Sequence, residues 1–218
     1  MLSATQLLNA LLERASAINE TETVVLTAAL GRVLAAPQIS AITVPPLDNS
    51  AMDGYAVRVA DVVRAGVRLP VSQRIQAGKV GVALAPGSAA RIFTGAPVPP
   101  GADAVLMQED CGSDGVDVVI NKLPWSGENI RRAGEDIQAG APILAAGTRI
   151  GAAEMGLAAS VGLAELPVLR RLKVACFFTG DELVTPGQAL QPGQIYNSNR
   201  YTLSGLVNGL GCELIDLG

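Results

Sequence analysis

Between residues 55 and 121, short apolar stretches alternate with turn-forming pairs, and no long amphipathic helix fits through them. Strands are expected over Tyr55–Arg58, Pro70–Gln76, Ala89–Phe93, Asp103–Glu109 and Val116–Asn121, with turns at Pro86-Gly87, Pro100-Gly101 and Asp114-Gly115. Spacing of this kind suits a small β-barrel or sandwich. Hydrophobic residues make up 49% of the chain but aromatics only 3%, so its cores are expected to be built from Val, Leu, Ile and Ala. The 24 glycines and 13 prolines are spread along the chain, as tight turns require, rather than gathered in one tail.

The flanking segments follow other patterns. Ser3 and Gln6 form a capping-box pair, and Leu7, Leu8, Leu11, Leu12 and Ala15 recur at helical spacing, predicting a helix over residues 4–17. Its apolar face suits a core or a dimer interface equally. A strand is expected over Glu22–Leu26, a brief helix over Ala28–Ala35 despite Gly31, and extended chain over Pro37–Val44, closed by Pro45-Pro46. Another extended stretch, Pro142–Ile150, leads into an Ala-rich helix over Ala152–Val161. Leu172–Phe178 is nearly all apolar, as expected for a parallel strand covered on both sides. A helix over Asn199–Leu210, with Gly211 at C′, and a strand over Cys212–Leu217 complete a βαβ pattern. This reads as the opening of a doubly wound α/β domain. Two strands and one helix cannot bury such a sheet, so the segment is expected to be incomplete.

Composition excludes several functions. With 16 basic and 20 acidic residues, net charge −4, a nucleic-acid partner is disfavoured. The absence of histidine rules out His triads, His zinc sites and His acid–base chemistry in this segment, leaving carboxylates, Lys, Tyr or metal-bound water. Cys111, Cys176 and Cys212 lie far apart without a Cys-x-x-Cys pair, and read as free, buried thiols in a reducing compartment. No apolar run approaches the roughly 18 residues of a spanning helix, and no signal peptide is evident, so no membrane contact and a cytoplasmic location are expected. Neither Gly-x-x-x-x-Gly-Lys-Ser/Thr nor Gly-x-Gly-x-x-Gly after the 172–178 strand occurs.

Chemistry concentrates in a few stretches. Asp48, Asn49, Ser50 and Asp53 crowd one polar loop, with Gly54 permitting a sharp turn. The run Asp48-Asn-Ser-Ala-Met-Asp-Gly-Tyr-Ala-Val-Arg58 resembles a signature of the MoeA/gephyrin E-domain family of molybdopterin molybdenumtransferases. Further matches follow in order at Arg91-Ile-Phe-Thr-Gly-Ala-Pro97, Gly127-Glu-Asn-Ile-Arg-Arg-Ala-Gly-Glu-Asp136, Phe178-Thr-Gly-Asp-Glu-Leu183 and Gly193-Gln-Ile-Tyr-Asn-Ser-Asn199. The resemblance covers essentially the whole chain. It corresponds to about the N-terminal half of the family, whose later glycine-rich loops and C-terminal β domain have no counterpart here.

The resemblance implies a multidomain α+β fold. Residues 1–48 with 137–167 would form an extended linker and dimerisation domain, 49–136 an inserted small β-barrel-like domain, and 168–218 the start of a doubly wound α/β domain that binds molybdopterin. It implies a homodimer, contact with the molybdopterin adenylyltransferase, and a reaction in which adenylated molybdopterin is cleaved, AMP leaves and molybdate is captured. Mg²⁺ would accompany it, because phosphoanhydride cleavage needs charge neutralised and an oxygen-only site suffices for that ion. On this resemblance the catalytic candidates are Asp53, Thr94, Asp136 and Glu182. Substrate contacts fall to Ser50, Arg131, Thr179, Gly180 and Asp181, the last three just past a strand's carboxyl end, where open α/β sheets bind ligands. Asp53, Asp181 and Glu182 are the metal candidates. Plainer readings stand beside these: Asp136 and Asp181 as turn residues, Thr94 as a strand-end hydroxyl, Arg131-Arg132 as a solvated pair, Asn199 as a helix N-cap, and Trp125 as a packed loop anchor. An enzyme is expected over a receptor-clustering scaffold, because the carboxylates are all present and no linker sequence precedes the first helix. For the isolated segment, an inactive fragment is the other expectation.

Overall fold

The computed structural model describes residues 3–218. They divide into two compact units: Ile39–Ala141, and the residues up to Gln38 together with Pro142–Gly218.

The chain opens with helix α1 (Ala4–Arg14), capped as expected by Ser3 and Gln6 and ending at Ala15 instead of running to residue 17. No residue of α1 is buried, and Leu7, Leu8, Leu11 and Leu12 are 51–63% exposed. Strand β1 (Thr21–Val25) follows. The helix expected over Ala28–Ala35 does not form. A short 3₁₀ turn, Leu26–Ala28, gives way to Gly31 at φ +74°, and Val33 and Leu34 make isolated bridges to Arg149 and Val168. Tertiary pairing outweighs the weak local helix propensity there, helped by a glycine that suits a left-handed turn.

The Ile39–Ala141 unit holds a six-stranded sheet, β2 (Gly54–Val57), β3 (Val67–Ile75), β4 (Ala89–Ile92), β5 (Ala104–Met107), β6 (Cys111–Ser113) and β7 (Asp117–Ile120), in the spatial order β5-β2-β4-β3-β7-β6. It curls into a half-barrel. Each strand expected between 55 and 121 is present with shifted ends, and β6 was not foreseen: Cys-Gly-Ser has no strand signature, and its pairing with Val118–Ile120 holds it. Side-chain alternation splits the core in two. Tyr55, Val57, Leu69, Leu106, Val118 and Ile120 pack on one face, and Ala56, Ile75, Ala90, Ile92 and Val105 on the other. Strand β2 is therefore buried on both sides.

In the other unit β1 pairs antiparallel with β8 (Glu165–Leu169), and helix α2 (Ala152–Ser160) packs beside them. Leu34, Leu144, Ile150, Leu166, Val168 and Ala158 form the core, each large side chain contributing about 1.5–3 kcal/mol by its burial. Beyond it, β9 (Lys173–Cys176), α3 (Ser198–Gly209) and β10 (Glu213–Asp216) make the expected βαβ pattern, with β9 and β10 parallel. Coverage on both sides is not seen in this chain: Lys173 and Ala175 are exposed, and Phe177 is 70% exposed.

Three smaller expectations are corrected. The N-cap of α3 is Asn197, whose side chain accepts from Arg200 N, and not Asn199. An Asn197→Ala variant is expected to destabilise this region by about 1 kcal/mol, read as a lower urea midpoint; an unchanged midpoint would show that the cap is idle. Trp125 is 62% exposed instead of packed. The cysteines are free but only half-buried, and burial, with Asp110 nearby, pushes the Cys111 thiol up to about 11. Among the described residues no helix is long and apolar enough to cross a membrane.

Candidate active site

The first cluster grows from the signature loop. Asn49–Ser50 pairs antiparallel with Ile130–Arg131, and Gly95 N donates to Ser50 O while Ser50 N donates to Ala96 O. Three separate motif segments thus converge on one short stretch of backbone. Ser50 is buried, and its hydroxyl donates to Met52 O at 2.6 Å, so its visible role is to shape the loop.

Asp53 leaves this loop exposed. Its Oδ1 accepts from both the backbone N and the Oγ1 of Thr94, each at 2.8 Å. Those bonds, the backbone one foremost, hold its carboxyl below the usual value of 3.8, with the Arg91 charge adding to the effect. Both bonds land on Oδ1, which leaves Oδ2 as the oxygen that can face a ligand. Because the folded pKa is lowered, these bonds stabilise the fold above the usual carboxyl pKa and cease to do so as pH falls through the folded value. A Thr94→Val variant keeps the backbone donor and loses the hydroxyl. Its Asp53 pKa is expected to rise part of the way to the ordinary value, as read by carboxyl-carbon NMR titration; an unmoved pKa would show the hydroxyl contributes nothing.

The Gly127–Asp136 segment places a second group in the same unit. Arg131 is bonded to Asp136 Oδ1 at 2.6 Å and to Glu135 Oε1 at 3.3 Å, which raises its pKa. Arg132 is not a bare solvated group: it meets Asp48 Oδ2 at 2.5 Å, and Ala133 N donates to the same carboxylate at 2.8 Å, which lowers the Asp48 pKa. These forks are thus already matched to carboxylates.

Thr179, Gly180, Asp181 and Glu182 lie in the other unit, exposed, on the loop after β9. Gly180 has φ +153°, and a Cβ on it would sit 2.6 Å from Glu182 Oε2, so glycine lets that carboxylate fold back over the loop. Beside it a cavity of about 260 Å³ is lined by Phe177, Phe178, Thr179, Tyr196, Asn197 and Ser198. It opens at the carboxyl end of β9 and at the first turn of α3, whose free N–H groups favour an anion. Sequence reasoning assigned no role to Phe177, Tyr196, Asn197 or Ser198; the Gly193–Asn199 motif was the signal for the last three.

Among the described residues no three His, Cys, Asp or Glu side chains gather into a metal-holding group. What the residues offer a divalent ion is isolated carboxylate oxygens, a donor set that fits Mg²⁺ only if water fills most of its shell.

A family model described as the MoeA N-terminal region, domains I and II, matches residues 2–162. The chain belongs to the MoeA family. It is 43% identical, over its whole length, to the molybdopterin molybdenumtransferase of Haemophilus influenzae, of which it covers 54%. It is 47% identical to the molybdopterin molybdenumtransferase of Nostoc sp. over 91% of this chain and 47% of that protein. The chain therefore spans about half the length of the curated relatives it matches. The crystal structure of the molybdopterin biosynthesis MoeA protein from Pyrococcus horikoshii superposes with a TM-score of 0.86 at 33% identity, covering 97% of this chain and 57% of that one. This membership places the chain among proteins of molybdenum cofactor biosynthesis.

Proposed function

We propose that this chain is the N-terminal part of a molybdenum insertase, which cleaves adenylated molybdopterin, releases AMP and places molybdenum on the pterin. The observation that carries the reading is the Asp53–Thr94 pair, an exposed carboxylate held ionised where three family motifs converge in a MoeA chain. Asp53 Oδ2 would accept a hydrogen bond from the attacking water, with Thr94 holding the carboxylate in orientation. Arg131 would hold Asp136 in place. The loop Thr179–Glu182 and the first turn of α3 would bind the phosphate and pterin end of the substrate. Mg²⁺, carried between carboxylate oxygens and water, would offset the charge of the phosphoanhydride. We further propose a cytoplasmic homodimer in which the Asp53 group of one subunit works with the Glu182 loop of the partner; the uncovered leucine stripe of α1 is the kind of surface a dimer buries. Contact with the molybdopterin adenylyltransferase follows in the same proposal, because that enzyme makes the adenylated substrate.

The test is AMP release from adenylated molybdopterin with molybdate and Mg²⁺, comparing this chain with a protein of the relatives' full length. Turnover by the longer protein alone is expected. Absence of AMP release from it would favour a binding role instead.

A further inference from the structure

The curled sheet also forms a cleft of about 370 Å³, whose lining includes Tyr55, Arg74 and Arg91. Strand register explains how they meet. Tyr55 lies opposite Arg91 on β4, and Arg91 lies opposite Arg74 on β3, so three neighbouring strands set a tyrosine and two arginines in one row on one face. Phe93, two residues beyond Arg91, receives both guanidinium groups, each 4.6 Å from its ring centroid; Arg91 is also 5.2 Å from the Tyr55 ring. Aromatic faces attract these cations without neutralising them. Like charges in directly opposed strand positions repel, and among the described residues neither arginine has a carboxylate within salt-bridge distance. Arg91 is fixed by bonds to Gly54 O at 2.8 Å and Gln108 Oε1 at 2.7 Å, whereas Arg74 is exposed. The arrangement is two guanidinium groups stacked on one ring with no salt bridge to either, Arg91 held by its hydrogen bonds and close enough to Asp53 to act on that carboxyl.

We propose that this cleft binds a tetrahedral oxyanion of the phosphate class between Arg74 and Arg91, with Phe93 as the platform that holds both forks. The proposal rests on the insertase reading only for what the anion would be, a phosphate of the organic substrate or an inorganic oxyanion such as molybdate. The binding itself follows from the charge and geometry of the cleft.

Titrating the 218-residue chain with inorganic phosphate, phenyl phosphate and molybdate, at constant ionic strength, tests it through the arginine Nε–Hε resonances. Those of Arg74 and Arg91 are expected to shift saturably, with one shared dissociation constant in the millimolar range, while exposed Arg64 drifts without saturating. Arg74→Ala should weaken binding about tenfold, and Arg74→Lys should fall between, since it keeps the charge and loses the fork. Phe93→Leu should weaken it as well. Arg74 is exposed, so its variants leave the fold intact. Tighter binding of the phenyl ester marks the cleft as a subsite for a substrate phosphate, and tighter binding of molybdate marks it for the inorganic ion; either supports the proposal. Shifts no different from those of Arg64, or an Arg74→Ala protein of unchanged affinity, overturn it. The readout involves no turnover, so its failure and a failure of AMP release are separate results.

Discussion

Gly54→Ala is expected to cost the Ile39–Ala141 unit its folded state. A Cβ at Gly54 would lie 1.8 Å from the Leu106 carbonyl oxygen and 2.8 Å from its carbon. Both are backbone atoms of the neighbouring strand, so no side-chain rotation relieves the clash. Nor can the strand slide away, because β2 is hydrogen-bonded on both edges, Gly54 facing Ile92 on one side and Met107 on the other. The loss should exceed about 4 kcal/mol, the range in which single substitutions become exceptional, against a typical domain stability of about 5–15 kcal/mol. Loss of dispersed amide resonances from this unit, or a collapsed urea midpoint, would register it. Gly112→Ala is the control: its Cβ would meet Val119 Cβ at 3.7 Å, an ordinary contact. A Gly54→Ala protein as stable as that control would mean the β2–β5 pairing is wrong.

The second large effect concerns catalysis. In the full-length protein, Asp53→Asn and Glu182→Gln should each lower kcat for AMP release by about 100- to 1000-fold, the scale of losing a positioned acid–base or electrostatic group. Asparagine at 53 keeps an oxygen for Thr94 and removes the charge, so the expected loss falls on turnover with stability little changed. The pH profile carries a further consequence. Because Thr94 holds the Asp53 carboxyl below its ordinary value, any acid limb that Asp53 contributes is expected at lower pH than that of an ordinary aspartate, and Thr94→Val should move that limb upward. Wild-type kcat in the Asp53→Asn protein would remove this residue from the reaction.

Much of the fold was legible where local and tertiary preferences agree. The β2–β5 strands are short, mostly apolar stretches bounded by Gly and Pro, and the Leu172–Phe178 run with its following helix reads as a parallel βαβ pattern. Ala28–Ala35 was misread because its geometry comes from pairing with residues distant in sequence, which helical propensity cannot register. Strand β6 escaped because Cys-Gly-Ser carries no signal of its own. The family motifs pointed to Asp53, Thr94 and Glu182 as candidates, and Asp53 and Thr94 do meet, but spacing alone does not show that Ser50 is buried or that Arg131 and Arg132 already hold carboxylates. The Arg74–Arg91–Phe93 cluster was invisible for another reason: Arg74 and Arg91 are 17 positions apart in sequence, and only the parallel register of β3 and β4 makes them neighbours.

If Asp53 and Glu182 act together in one site made by two subunits, as we propose, two inactive variants should restore activity when they share a dimer. Full-length Asp53→Ala and Glu182→Ala proteins, each nearly inactive alone, would be unfolded together, refolded and assayed for AMP release. In a mixed dimer with shared sites, one site carries both substitutions and the other neither. Random reassembly should therefore restore about a quarter of wild-type activity. Activity no higher than that of the separate variants, with mixed dimers confirmed by mass, would contradict the account.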